Sequence, residues 1–185
     1  MNNASALLCI DIQNDYFPGG PMELAGAEAA ARNIRALQGY FRDKGLPILH
    51  IAHEMTRKGA NFFLPGTSGQ QIHSLVSPQE GEKVITKNFP NSFLHTPLLD
   101  TLKGLGVTEL TITGMMTHMC VDATTRAAAD LGFSCTVVSD ATATRDLQFA
   151  GKTVQAAQVQ IAFLAALSTI CDRIVDAGEL MKAPS

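Results

Sequence analysis

Long apolar runs are missing from this chain. The longest, Val159 to Leu167, is interrupted by Gln160 and is too short to span a bilayer. Basic clusters are missing too. Fourteen Lys and Arg residues are scattered among seventeen Asp and Glu residues, for a net charge of −3. That balance leaves no electrostatic case for nucleic acid or an anionic membrane surface as a partner. No Cys-x-x-Cys pair occurs among Cys9, Cys120, Cys135 and Cys171, so the spacing supports neither a disulfide framework nor a cysteine zinc site. The start, Met1-Asn-Asn-Ala-Ser5, lacks the basic n-region of a signal peptide. A cytoplasmic protein is therefore expected.

What is present suits one globular domain spanning residues 1–185: the chain has 46% hydrophobic residues and enough length to bury a full core. Strand and helix patterns alternate along it. Ala6 to Ile10 is a short apolar run of the kind expected for a strand buried on both faces. Ala27 to Phe41 places Ile34, Leu37 and Phe41 at helical spacing, and Gly45 and Pro47 end it. Pro47–Ala52 and Lys83–Thr86 read as strands two and three. Between them lies a Gly- and Ser-containing excursion over 54–82, long enough to suggest a functional loop. Thr96-Pro97 opens a short helix over Leu98–Leu105. Strands follow at Glu109–Thr113 and Ser134–Val138, with a helix over Val121–Leu131 between them. A helix over Thr153–Leu167 and a sixth strand over Ile170–Val175 complete the pattern. This order predicts a three-layer, Rossmann-like α/β/α domain on a six-stranded parallel sheet.

In such sheets ligands bind beyond the carboxyl ends of the strands. Asp11 follows strand one, Lys87 follows strand three, and Cys120 follows strand four through Gly114-Met-Met-Thr-His-Met-Cys120. A thiol at a strand-to-helix turn meets unpaired backbone N–H groups and the positive end of a helix dipole, which favour the thiolate. A carboxylate can accept the thiol proton, and a lysine can keep that carboxylate charged. The backbone N–H groups of the turn can stabilise an oxyanion. Taken singly, each residue has a plainer reading: Asp11 a turn former, Lys87 a solvated surface group, Cys120 a packing residue. Their shared position at one sheet edge favours acyl transfer to a thiol followed by hydrolysis.

Three motifs, in order, resemble those of the isochorismatase-like cysteine hydrolases: Leu7-Leu-Cys-Ile-Asp11-Ile-Gln-Asn-Asp-Tyr-Phe17, Val84-Ile-Thr-Lys87-Asn-Phe-Pro-Asn-Ser-Phe93, and Gly114-Met-Met-Thr-His-Met-Cys120-Val121 with Thr124-Thr-Arg-Ala-Ala128. The resemblance covers roughly residues 5–176. It implies a catalytic Asp11, Lys87 and Cys120. It also implies a cis peptide at Met115–Met116 and an oxyanion hole made by the Met116 and Cys120 N–H groups. It further implies a homo-oligomer, dimeric or tetrameric, with a small-molecule substrate.

Departures from the family pattern narrow that substrate. Nicotinamidases of the family bind a metal through an Asp-x-His and a further His after strand two. Here that stretch is His50-Ile-Ala-His-Glu54, and no Asp occurs between residues 44 and 99. No metal and no cofactor are expected. Members that cleave a vinyl ether typically have Gly where this chain has Cys120, so the thiol favours C–N hydrolysis of a small amide, carbamoyl or ureido compound. An ether hydrolase and a non-catalytic thiol-redox or binding protein are the alternatives. Candidate substrate-binding residues flanking the motifs are Gln13, Phe17, His53, Phe89, Thr117 and His118. The apolar loop tip Phe62-Phe63-Leu64-Pro65 has three possible resting places: over the pocket, in a neighbouring subunit, or against its own domain.

Overall fold

The computed structural model describes residues 4–182. In chain order the elements are β1 (Ala4–Ile10), α1 (Ala27–Asp43), β2 (Ile48–His53), β3 (Lys83–Lys87), α2 (Leu98–Gly104), β4 (Val107–Met115), α3 (Asp122–Asp130), β5 (Ser134–Ala143), β6 (Leu147–Phe149), β7 (Lys152–Val154), α4 (Ala156–Leu167), β8 (Arg173–Val175) and α5 (Ala177–Lys182). Six strands form one sheet in the order β3-β2-β1-β4-β5-β8, and every neighbouring pair is parallel. The expected single domain of residues 1–185 extends at both ends beyond the described residues. No helix among the described residues is long and apolar enough to cross a membrane.

The apolar run of β1 is continuous because both faces are covered. Leu7 and Cys9 pack into one core with Ala30, Ile34, Leu37 and Phe41 of α1 and Leu180 of α5. Ala6, Leu8 and Ile10 point the other way, into a second core with Leu98 and Leu102 of α2, Ala128 of α3 and Leu167 of α4. The two-residue period of the strand thus deals alternate side chains to the two helical layers.

The order in which strands are added reverses at β1 and β4, the two central strands, with β2 and β3 on one side and β5 and β8 on the other, and this opens a crevice at their carboxyl ends. Gly114 lets these strands close on each other. Its φ is +123°, and a Cβ there would lie 2.0 Å from the Ile10 carbonyl oxygen.

Several elements differ from the sequence-based expectation. Residues 117–121 form a single π-helical turn, so α3 starts at Asp122 rather than Val121. The start of the expected 153–167 helix belongs instead to an antiparallel β6–β7 hairpin, which turns at Ala150-Gly151, both with positive φ. α5 was not anticipated; it adds Ala177 and Leu180 to the α1 core. β5 runs five residues further than expected, with a register shift against β4 between Ile112 and Gly114.

Replacing Gly114 by Ala forces a side chain into the β1 backbone at a left-handed position. It should lower stability by roughly 2–4 kcal/mol, read as a reduced denaturant midpoint. An unchanged midpoint would mean the strands can part without cost.

Candidate active site

Asp11 stands one residue past the end of β1, fully buried, with φ +52°. Its amide donates to the Ile51 carbonyl at 3.0 Å, which continues the pairing to β2 for one more step. Lys87 is the last residue of β3 and lies two strands away from Asp11. His53, its register partner on β2, sits between them. The Lys87 ammonium reaches across and donates to Asp11 Oδ2 at 2.7 Å, to His53 Nδ1 at 2.9 Å and to the Phe89 carbonyl at 3.1 Å. Three protons thus meet three acceptors. His53 Nδ1 can only be accepting there, so its proton resides on Nε2. Among the described residues, Asp11 Oδ1 and His53 Nε2 have no hydrogen-bond partner.

Cys120 lies in the π turn between β4 and α3, 4% exposed. The turn is closed by Val121 N–H on the Met116 carbonyl at 3.2 Å and by Asp122 N–H on that of Thr117. The peptide between Met115 and Met116 is cis. Sγ of Cys120 and one ligand atom each of Asp11 and His53 lie within 4.8 Å of one another. That donor set could hold a metal ion in principle. Here, however, the Lys87 ammonium already bonds to both Asp11 and His53, so the cation of the cluster is the lysine itself.

Above the cluster is a cavity of about 430 Å³. It is lined by Tyr16, His53, Met55, Thr56, Arg57, Phe62, Asn88, Phe89, Pro90, Met116, Met119 and Cys120. Much of one wall comes from the 54–82 excursion, which Asp15 ties down. The Asp15 carboxylate accepts from the Phe63 N–H, and its own N–H donates to the Gly69 carbonyl. Phe63 is fully buried, edge-on to Tyr16 at 4.6 Å, while its neighbour Phe62 faces the cavity. The apolar tip therefore packs on its own chain and covers the pocket.

Of the six residues proposed from sequence to bind substrate, His53 and Phe89 line the cavity. The other four are engaged elsewhere. Gln13 bridges backbone groups, accepting from His53 N–H and donating to the His53 and Gln70 carbonyls. Phe17 stacks on His73 at 3.7 Å. Thr117 donates to Gln160 Oε1 on α4, and His118 Nδ1 meets Thr144 Oγ1 at 2.6 Å. Being near a motif did not specify which way these side chains point. The sequence reading missed Tyr16, Arg57, Asn88 and Met119. Asn88 carried a usable signal, since it directly follows the strand-end residue Lys87.

Residues 5–169 match the isochorismatase domain. The chain belongs to the isochorismatase family. An isochorismatase family protein of Bacillus subtilis is 49% identical over 90% of this chain and 92% of its own length. A streptothricin hydrolase of Streptomyces noursei is 34% identical over 77% of this chain and 55% of its own. The crystal structure of an isochorismatase hydrolase from Oleispira antarctica superposes with a TM-score of 0.94 at 49% identity, covering 99% of this chain and 98% of that one. This protein is accordingly a hydrolase.

The electrostatics of this isochorismatase-family site correct one sequence expectation. A thiol at a helix start was expected to ionise readily. Instead, burial pushes the Cys120 thiol well above its ordinary range, the Asp11 charge pushes it further, and Lys87 opposes only in part. That balance favours the neutral thiol form of Cys120. Burial alone would raise the Asp11 carboxyl as well, but the Lys87 ammonium opposes it and Asp11 is held below the usual range. Lys87 shows the converse: its burial is outweighed by Asp11, which keeps it protonated. The site thus sets a carboxylate that favours its charged form beside a thiol that favours its neutral form.

Two substitutions should move Cys120 in opposite directions. Asp11→Asn removes the nearby negative charge and should lower the pH at which iodoacetamide labels Cys120. Lys87→Met should raise it. Labelling rate against pH, with peptide mapping, checks both. Coincident profiles for both variants and the parent would mean that neither group acts on the thiol.

Proposed function

We propose that the protein hydrolyses the C–N bond of a small amide, carbamoyl or ureido compound through a thioester on Cys120. The observation that carries this reading is the unpartnered Asp11 oxygen beside a protonated thiol at the floor of a largely apolar cavity. In the proposed cycle, Asp11 takes the thiol proton as Sγ attacks the scissile carbonyl, so no free thiolate has to persist. The Met116 and Cys120 N–H groups receive the oxyanion. Asp11 then passes its proton to the departing nitrogen, the C–N bond breaks, and the thioester remains. Water, deprotonated by Asp11, attacks the thioester. The acid is released, and the proton returns to Cys120. Lys87 keeps Asp11 charged and aimed throughout.

The cycle uses neither metal nor cofactor, because Lys87 supplies the positive charge. The apolar outer surface of α4 and the β6–β7 hairpin, where Ile161 is 69% and Phe149 86% exposed, supports a homo-oligomer, dimer or tetramer. We read the protein as cytoplasmic and its partner as a small-molecule substrate.

Ammonia release from a panel of amides, carbamoyl and ureido compounds tests the function. Cys120→Ala should reduce turnover by roughly 10⁴-fold or more, as loss of a covalent nucleophile does, and no acyl adduct should form on it. Exhaustive chelation should leave the rate of the parent enzyme unchanged. If Cys120→Ala keeps its activity and cleaves a vinyl ether, the ether-hydrolase alternative holds. If no compound turns over while Cys120 oxidises reversibly, the thiol-redox alternative holds.

A further inference from the structure

The charge inside the cavity indicates what kind of substrate fits it. At the floor, Asp11 and Lys87 cancel each other through their 2.7 Å contact. His53 Nδ1 meets that ammonium at 2.9 Å. Of the twelve residues lining the cavity, Arg57 alone carries a fixed formal charge. Its guanidinium has neither an ion pair nor a side-chain hydrogen bond among the described residues. The nearby carboxylate, Glu54, is occupied by Gln70 Nε2 at 3.0 Å.

The segment that leads from β2 to Arg57 is held at its start. Glu54 N–H donates to the Lys87 carbonyl and Met55 N–H to that of Phe63, both at 2.9 Å, and Asn88 Nδ2 donates to the Glu54 carbonyl at 2.8 Å. Arg57 itself is exposed, in a turn where its carbonyl accepts from the Ala60 N–H at 3.1 Å, and it borders an apolar cleft whose low-dielectric walls concentrate its field.

Resting on the thiol-hydrolase reading above, we propose that Arg57 selects substrates bearing an anionic group, a carboxylate, at the end remote from the scissile amide. The substrate class is then a small monoamide with an apolar body: the amide at Cys120, the body against Phe62, Phe89 and Met119, and the carboxylate at the rim. The opposite orientation would place the carboxylate against ionised Asp11, which disfavours it.

The test compares monoamides of four- to six-carbon dicarboxylic acids with the matching diamides, which differ only in carrying a neutral terminus. The parent enzyme should favour the monoanion in kcat/KM by roughly tenfold or more, as expected for a hydrogen bond to a charged group. The preference should shrink with added salt. Arg57→Met should bring the ratio close to one, chiefly through KM, and Arg57→Glu should invert it. Protection of Cys120 from iodoacetamide by the same pairs gives a binding measure that does not need turnover. Equal kcat/KM and equal protection by the two members in the parent, or a preference that survives Arg57→Met, would overturn the proposal. A Cys120→Ala variant that hydrolyses the diamides at the parental rate would defeat the thiol reading instead, and the charge preference would still be measurable on it.

Discussion

The buried contact between Lys87 and Asp11 is the interaction on which the site depends. Both groups are essentially removed from solvent, and neither could remain charged there alone. Breaking such a pair by removing one partner typically costs about 3–5 kcal/mol, because the other charge is left uncompensated. The fold accepts this arrangement for what it maintains, a carboxylate that stays ionised in an apolar pocket. Without the ammonium, burial would favour the protonated form of Asp11.

The sheet makes the contact possible. Because the order is β3-β2-β1, Lys87 must reach across β2, and the parallel register sets His53 at the midpoint. The lysine's third proton goes to the Phe89 carbonyl just beyond its own strand. Its geometry is therefore determined at every donor. On the other side, the close approach of β1 and β4 at Gly114 brings the Cys120 turn over the end of β1. Two strand spacings on one side of Asp11 and one on the other thus set the positions of Lys87 and Cys120.

The excursion over 54–82 converts an open sheet edge into a cavity. Asp15 pins Phe63 and lies against Gly69, where a Cβ would come within 1.9 Å of its carboxylate. The loop has little regular structure, a single 3₁₀ turn at Ser74–Val76. It is held instead by a buried carboxylate, by the two-ended bridge of Gln13 and by stacked rings. These contacts bring an aromatic wall over Cys120, whose thiol is pushed up by its burial.

The sequence by itself determined the alternation of elements, the two-faced burial of the central strands, and the three chemically matched residues at strand ends. Each is a local property: an apolar period, a turn signal, a residue type beside it. It also carried the family, through motifs that lie within those same strand ends. Which side chains face the cavity was decided only by tertiary structure. Gln13, Phe17, Thr117 and His118 lie within the strand-end motifs in sequence, yet each is claimed by a partner distant along the chain, such as Gln70, His73, Gln160 or Thr144. The protonation state of Cys120 was likewise beyond local reading, because a helix-start argument counts only the nearby backbone. The larger effects, desolvation and the Asp11 charge, come from β1 and from a loop some sixty residues upstream, and they act on the thiol only once the chain has folded around it.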